Sequence, residues 1–187
     1  AQIKADQISS IGISYQMHGL VLVDRDLNPL RKSIIWCDSR ATHFGEKAFE
    51  KLGKDYCKDH LLNSPGNFTA SKLAWVIENE PELYQKAHKL MLPGDFLAAK
   101  LSGETQTTVT GLSEGIFWDF KNDQPSKALF DHYQMDQSLV PEVVDNFTVQ
   151  ATVSSTGAQA TGLKEGTPIT YRAGDQPNNA YTLGARK

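Results

Sequence analysis

Residues 12–19 read Gly-Ile-Ser-Tyr-Gln-Met-His-Gly, an apolar strand pattern that runs directly into a short polar turn. Ile11 and Ile13 alternate along the predicted strand, and Gln16 and His18 follow at its end. In an open α/β sheet, ligands bind where strands end and loops begin. The stretch therefore predicts a strand and a candidate binding site beside it.

Three other segments place polar groups at the end of a predicted strand or the start of a predicted helix. They are residues 34–40 (IIWCDSR), residues 67–75 (NFTASKLAW) and residues 173–180 (AGDQPNNA). Loops held by a rigid scaffold carry a large share of binding residues, so these segments are further candidates for the same site.

Strands and helices are predicted to alternate along the chain. Apolar runs at residues 20–23 and 33–36 predict strands that follow the first one, most simply as consecutive strands of one sheet. Helical spacing and stop signals predict helices over residues 42–52, 69–79 and 93–101, with a strand at residues 89–92 between the last two. Residues 126–146 are mixed in pattern and are predicted to be mainly helical.

The amino-acid composition of the sequence changes near residue 148. From Val149 the chain is rich in Thr, Gly and Ser, with strand-like stretches at residues 152–154 and 167–171. We therefore predict a first domain over residues 1–148 and the start of a second domain over residues 149–187. The first strand begins almost at once, which leads us to expect that N-terminal strands of the first domain are missing from this chain.

Composition argues against several classes of partner. Hydrophobic residues make up 40% of the chain, charged residues 22%, and the formal net charge is -3. With no basic face, we expect neither nucleic acid nor a membrane surface as partner. No apolar stretch reaches the roughly 20 residues of a spanning helix, and residues 1–6 lack signal-peptide features, so a cytoplasmic location is expected. Cys37 and Cys57 have no metal or redox spacing, and no metal site is predicted.

Asp175 is the most informative single residue. It follows the apolar strand pattern of residues 169–171 and precedes a predicted helix, so its carboxylate is expected at a strand-to-helix junction. There it could accept the proton of a bound hydroxyl group. An aspartate that caps the following helix fits the same spacing, and by spacing alone it is the stronger interpretation.

Gln16 and His18 could offer amide and imidazole groups to a small ligand with several hydroxyl groups. A loop histidine bound to a backbone carbonyl is an equally good interpretation of His18. Met17 between them fits packing alone. Asn67 lies in the loop before the helix of residues 69–79, within reach of a ligand.

Trp36, Asp38 and Arg40 alternate and could place an apolar plate, a carboxylate and a guanidinium around one ligand. A structural ion pair between Asp38 and Arg40 fits the same spacing. The sequence contains no Gly-rich phosphate loop of the P-loop or Rossmann type.

Taken together, these segments resemble the FGGY family of carbohydrate kinases. The likeness covers nearly the whole chain in the family's order. It is carried by residues 16–19 (QMHG), the Trp-x-Asp-x-Arg pattern of residues 36–40, and residues 68–75, 92–96 (LPGDF), 103–104 (GE) and 174–176 (GDQ). The QMHG segment is more similar to the xylulose kinases of that family than to its glycerol kinases.

The resemblance implies an α/β, ribonuclease H-like (actin-type ATPase) fold with a sugar-binding cleft between two domains. It implies that Asp175 is the catalytic base, which takes the proton of a sugar hydroxyl for in-line attack on the γ-phosphate of ATP. The implied substrate-binding residues are Gln16, Met17, His18, Asn67 and Gln176. Trp36, Asp38 and Arg40 are candidate cleft residues for which structural support is an equal alternative.

The resulting hypothesis is that a full-length parent converts D-xylulose to D-xylulose 5-phosphate with ATP and Mg²⁺. The resemblance places the phosphate loop and the adenosine-binding half outside this chain, so the chain alone is expected to bind neither cofactor and to be inactive. Alternatives are a non-catalytic sugar-binding module and a kinase of ribulose, gluconate or glycerol. The expected partner is a small-molecule sugar, and a homodimer is a candidate assembly.

Overall fold

The computed structural model describes residues 3–184, in which short strands alternate with helices. The strands are β1 (Ile11–Tyr15), β2 (Val21–Val23), β3 (Lys89–Met91), β4 (Gln106–Thr108), β5 (Trp118–Asp119), β6 (Gln124–Pro125), β7 (Glu142–Val144), β8 (Ala151–Thr152) and β9 (Pro168–Gly174). The α-helices are α1 (Thr42–Leu52), α2 (Lys54–Tyr56), α3 (Thr69–Asn79), α4 (Pro81–Tyr84), α5 (Pro93–Ser102), α6 (Val109–Glu114), α7 (Lys127–Tyr133), α8 (Ser155–Thr161) and α9 (Asp175–Thr182). The predicted domains also include residues 1–2 and 185–187, and that part of the prediction lies outside the described residues.

One three-stranded sheet brings the two ends of the described chain together. Its strand order is β1-β9-β8, with β9 parallel to β1 and antiparallel to β8. In the parallel pair Ile13 lies opposite Arg172 and Tyr15 lies opposite Gly174. The carboxyl ends of β1 and β9 therefore meet at one edge. β8 and β9 belong to the predicted second domain, yet they share this sheet with β1 of the predicted first domain. The domain division at residue 148 stays a prediction.

Two predictions about the early strands are wrong. The run at residues 33–36 is not a strand, because only Ile34 forms a bridge, to Leu20. Ile35 and Trp36 are 42% and 62% exposed, so this run lacks the buried face that stabilises a strand within a sheet. Nor does β1 pair with β2, the strand that follows it, since β1 pairs with β9 and β2 pairs antiparallel with β3.

The segment at residues 126–146 is less helical than predicted. It contains α7, a 3-10 turn at Gln137–Leu139 and the strand β7. β7 pairs in parallel with β4, with Gln106 opposite Glu142. This partner lies far away in sequence, and a local pattern does not reveal it.

The helices α1, α3 and α5 confirm the predictions from helical spacing. Gly53 and Gly103 follow α1 and α5 with φ of 85° each, a backbone conformation that glycine adopts without steric cost. Pro93 occupies the first turn of α5, where its missing N–H has no intrahelical partner to lose. α1 and α3 pack together through buried side chains in the main core.

A buried ion pair connects α5 to the central sheet. Asp95 and Arg172 are each 1% exposed, and Arg172 Nη1 lies 3.2 Å from Asp95 Oδ1. Thr107 Oγ1 donates to Asp95 Oδ2 at 2.9 Å, and Arg172 also donates to Gln150 Oε1 at 2.9 Å and to the Gln106 carbonyl at 3.0 Å. These contacts fix β9 against α5 and β4, and β9 leads directly into Asp175.

Within residues 3–184, no helix combines the length and the apolar character that crossing a bilayer requires. The two cysteines are free thiols, with Cys57 buried and Cys37 exposed.

Candidate functional site

The candidate site forms where β1 and β9 end. Because Tyr15 and Gly174 lie opposite each other in the parallel pair, the segments that follow them emerge side by side. After β1 the chain enters the turn that contains Gln16 and His18, and after β9 it enters α9.

Six of the predicted site residues line one cavity of about 290 Å³. They are Gln16, Met17, His18, Trp36, Asp175 and Gln176. This volume is close to about 300 Å³, which is the lower limit of the usual range for small-molecule sites. The structure therefore brings these residues together, and their individual roles in binding and catalysis stay predictions.

His18 is held in place from two sides. Its φ of 64° lies in the left-handed region, which is uncommon for a residue other than glycine. Its Nδ1 lies 3.0 Å from the backbone carbonyl oxygen of Glu114, and its own carbonyl accepts a hydrogen bond from Lys72 Nζ at 2.6 Å. Because a carbonyl only accepts, Nδ1 carries the proton and Nε2 is left as an acceptor.

His18 is neutral at pH 7. Burial lowers its pKa below 6.5, and the positive charge of Lys72 acts in the same direction. The hydrogen bond to the Glu114 carbonyl and the charge of Asp175 only partly oppose this effect. Burial likewise lowers the pKa of Lys72 to about 8.

Asp175 is the first residue of α9 and is exposed. Gly174 occupies the N-cap position, so the structure does not place Asp175 there. In the described part of the chain, the hydrogen bond of its side chain comes from Gln176 Nε2 at 3.5 Å. Its carboxylate is therefore accessible from the cavity.

Asn178 anchors the first turn of α9. Its Nδ2 donates to the carbonyls of Ala173 and Gly174 at 3.0 and 2.9 Å and to Ser14 Oγ at 3.1 Å. Its Oδ1 accepts from the Tyr171 hydroxyl at 2.8 Å. These bonds tie α9 to both β1 and β9, and they fix the position of Asp175 relative to the turn after β1.

Gly174 permits the close approach of three segments. A Cβ at this position would lie 2.3 Å from Met17 Cγ and 2.5 Å from Glu114 Oε2. Both distances are shorter than side-chain atoms tolerate. The absence of a side chain therefore allows the turn after β1, the end of α6 and the start of α9 to meet.

The remaining predicted residues, Asn67, Asp38 and Arg40, are not among those that line the cavity. Asn67 Nδ2 donates to the Asp38 carbonyl at 2.8 Å. Asp38 and Arg40 form the ion pair that their spacing allowed, at 2.7 Å, and the Arg40 guanidinium lies 4.6 Å from the ring centre of Trp75. The contact of Arg40 with Trp75 connects the loop that contains Asp38 and Arg40 to α3. A role in ligand binding stays a prediction for Asn67, Asp38 and Arg40.

Two residues at the site were not predicted. Lys72 lies within the candidate segment of residues 67–75 but was not singled out there, and Glu114 was not singled out at all. Both are buried, at 0% and 6% exposure, and both contact His18. A carboxylate within the largely apolar run at residues 112–118 was the available signal for Glu114.

Residues 3–184 contain no group of three or more His, Cys, Asp or Glu side chains that could hold a metal ion.

The fold and the cavity define an α/β protein with a small cavity at the ends of two parallel strands. The model of the FGGY family of carbohydrate kinases, N-terminal domain, matches residues 1–181. The chain belongs to the FGGY family of carbohydrate kinases. This confirms the family that the motifs indicated.

Curated relatives agree with this assignment. The chain is 30% identical over 190 residues to the xylulose kinase of Bacillus subtilis, covering 99% of this chain and 37% of that protein. It is 29% identical over 184 residues to the xylulose kinase of Streptomyces rubiginosus, covering 97% of this chain and 38% of the relative. The chain thus spans less than two-fifths of the length of these relatives.

Solved structures confirm the predicted α/β, ribonuclease H-like fold class. A xyloylose kinase from Brucella ovis superimposes with a TM-score of 0.82 at 26% identity, over 97% of this chain and 38% of that one. A glycerol kinase from Plasmodium falciparum superimposes with a TM-score of 0.84 at 23% identity, over 96% and 37% of the two chains. The second likeness concerns the fold alone.

Proposed function

We propose that this chain is the sugar-binding part of a kinase that converts D-xylulose to D-xylulose 5-phosphate with ATP. The observation that carries the proposal is that Asp175 and His18 line the same cavity with two glutamine side chains. The names of the curated relatives support xylulose as the sugar.

In this proposal Asp175 is the general base. As the terminal hydroxyl oxygen of the sugar forms its bond to the γ-phosphorus, the bond from phosphorus to the leaving oxygen of ADP breaks and the hydroxyl proton passes to Asp175. ATP, when bound, supplies the phosphoryl group. The exposed position of Asp175 in the first turn of α9 suits this role, because its carboxylate is accessible from the cavity.

The other cavity residues would bind and orient the sugar. Neutral His18 offers Nε2 as an acceptor for one hydroxyl group. Gln16 and Gln176 each carry an amide that both donates and accepts. Trp36 is 62% exposed at the rim, where its ring could cover the C–H face of the sugar. Such a set of neutral groups suits an uncharged polyol.

The substrate proposal is tested with a protein that extends this chain to the length of its relatives. Phosphorylation would be measured by coupled ADP release with D-xylulose, D-ribulose, gluconate and glycerol. We expect the highest kcat/KM with D-xylulose. Turnover of glycerol with none of xylulose would contradict the substrate, and sugar binding without turnover of any sugar would favour a binding module.

We expect xylulose binding by the whole kinase to weaken as the pH falls through the pKa of His18. That pKa lies below 6.5, so Nε2 is an acceptor at pH 7 and gains a proton only at lower pH. Losing one acceptor corresponds to about 1 kcal/mol, or a five- to tenfold rise in KM. The measurement is KM for D-xylulose between about pH 5.5 and 8.

His132 provides the control for this pH dependence. Burial lowers its pKa as well, but it lies on α7 and is not among the residues that line the cavity. His132→Gln should retain the rise in KM at low pH, whereas His18→Asn should remove it. A pH dependence that survives in His18→Asn would show that another group causes it.

A further inference from the structure

Glu114, the last residue of α6, has a buried side chain that the proposed reaction does not use. The residue is 6% exposed, and neither carboxyl oxygen forms a hydrogen bond of good geometry among residues 3–184. The Tyr15 hydroxyl and the His18 backbone lie close enough to act on its pKa, and both lower it. Buried polar groups are nearly always well paired, so a carboxyl group without a well-formed hydrogen bond beside a ligand cavity requires an explanation.

The position of Glu114 links the two halves of the candidate site. Its backbone carbonyl accepts the hydrogen bond from His18 Nδ1 at 3.0 Å. Its carboxyl group packs against the backbone of Gly174, where a Cβ would lie 2.5 Å from Oε2. Gly174 directly precedes Asp175. A single residue therefore contacts the candidate sugar-binding histidine and the turn that carries the candidate base.

A second cavity adjoins this residue. It has a volume of about 390 Å³ and shares Met17, His18 and Gln176 with the first cavity. Glu114 contributes to its lining. Movement of Glu114 would therefore change the shape of the second cavity. Through Met17, His18 and Gln176, which line both cavities, it would also change the shape of the first.

The surroundings of Glu114 favour a neutral carboxyl group. Burial, together with the negative charges of Asp95 and Asp175, raises its pKa to about 8, although the contacts with the His18 backbone and the Tyr15 hydroxyl lower it. The titratable or charged groups that act on Glu114 or on its immediate neighbours are Tyr15 on β1, His18 in the turn after β1, Lys72 on α3, Asp95 on α5, Arg172 on β9 and Asp175 on α9. Arg172 is already paired with Asp95, so Glu114 lacks a cation of its own within the described structure.

We propose that Glu114 is a positioning residue that, in its neutral form, holds His18 and the Gly174–Asp175 turn in one arrangement. A neutral carboxyl group packs against the backbone of Gly174 without a counter-ion. A carboxylate at the same place would be unpaired and would repel Asp175, so the contact would open to admit water. The consequence for catalysis rests on the proposed function, whereas the linkage of the two segments does not.

The linkage is tested by NMR on the chain itself, without sugar. Between about pH 6 and 9.5, the His18 ring signals and the Asp175 backbone amide of the wild type should shift together with a midpoint of about 8. In Glu114→Gln both shifts should disappear, because the amide does not ionise. Glu165→Gln, an exposed change on the loop before β9, should leave both shifts in place.

Lys72 is the competing source of such a shift. Its pKa is also about 8, and it donates to the His18 carbonyl. A His18 shift that persists in Glu114→Gln, or an Asp175 amide that does not move with His18 in the wild type, would overturn the proposal. If Glu114→Gln does not fold, the titration of Glu114 is followed directly in the wild type through the chemical shift of its side-chain carboxyl carbon. A midpoint below about 6 would contradict the proposal.

The pH dependence of kcat/KM in the whole kinase distinguishes this inference from the proposed function. Wild-type kcat/KM for D-xylulose should fall about tenfold per pH unit above the pKa of Glu114, and Glu114→Gln should not show this fall. A purely structural role would lower activity equally at every pH. Coupled NMR shifts in a protein that phosphorylates no sugar would contradict the function and leave the positioning role supported.

Discussion

Asp175→Asn is expected to lower kcat of the whole kinase by about 10³-fold, while KM for D-xylulose changes by less than about threefold. The amide has nearly the shape of the carboxylate but does not accept the proton of the attacking hydroxyl. Asp175 is exposed in the first turn of α9, so the exchange should not disturb a packed core. Initial rates at saturating sugar and ATP give kcat directly.

Asp55 offers a matched control. It is also an exposed aspartate in the first turn of a helix, α2, and it does not line the cavity. Asp55→Asn should leave both kcat and KM unchanged. If Asp175→Asn retained more than a tenth of the wild-type kcat, Asp175 would not be the base, and another acceptor for the hydroxyl proton would have to be sought.

Asp95→Asn is expected to lower the free energy of unfolding of the chain by about 3–5 kcal/mol. The change keeps the side-chain volume but removes the charge that faces the Arg172 guanidinium at 3.2 Å. Arg172 is 1% exposed, so its positive charge would be left in the interior without a counter-ion. Thr107, which donates to Asp95 at 2.9 Å, would lose a charged acceptor as well.

The measurement is urea denaturation of the chain, followed by circular dichroism and by tryptophan fluorescence. Asp131→Asn is the control, because Asp131 forms an ion pair with Lys127 in which the two side chains are 63% and 74% exposed. The control should cost less than about 0.5 kcal/mol. A loss below about 1 kcal/mol for Asp95→Asn would mean that the buried pair contributes little to stability.

The stability and activity predictions are connected through β9. Arg172 is held by Asp95, Gln150 and the Gln106 carbonyl, three residues before Asp175. Loosening this strand should therefore also affect the position of the candidate base. Asp95→Asn is expected to lower kcat in the whole kinase in addition to its effect on folding, in contrast to Asp131→Asn.

Much of the local structure could be predicted from sequence. The helices α1, α3 and α5 were predicted because apolar spacing, glycine after the last turn and proline in the first turn are all encoded within a few residues. The strand-to-helix junction at Asp175 was predicted for the same reason. The order of several motifs along the sequence identified the family.

Partners distant in sequence could not be predicted in this way. The apolar run at residues 33–36 has the composition of a strand, yet only Ile34 forms a bridge. β1 pairs with β9, which follows it by about 150 residues, and β7 pairs with β4. Strand pairing depends on which surfaces the rest of the chain leaves available, so a local pattern does not specify the partner.

The family, the main helices and six residues that line the cavity could be predicted without a structure, because they depend on residue type and short spacing. The three-dimensional arrangement was needed to show that Glu114 lies between His18 and Gly174, that Lys72 donates to the His18 carbonyl, and that Asp95 pairs with Arg172. Burial and hydrogen bonding between distant segments set the charge and position of these side chains. Those contacts exist only after the parallel pairing of β1 with β9 has brought the segments together.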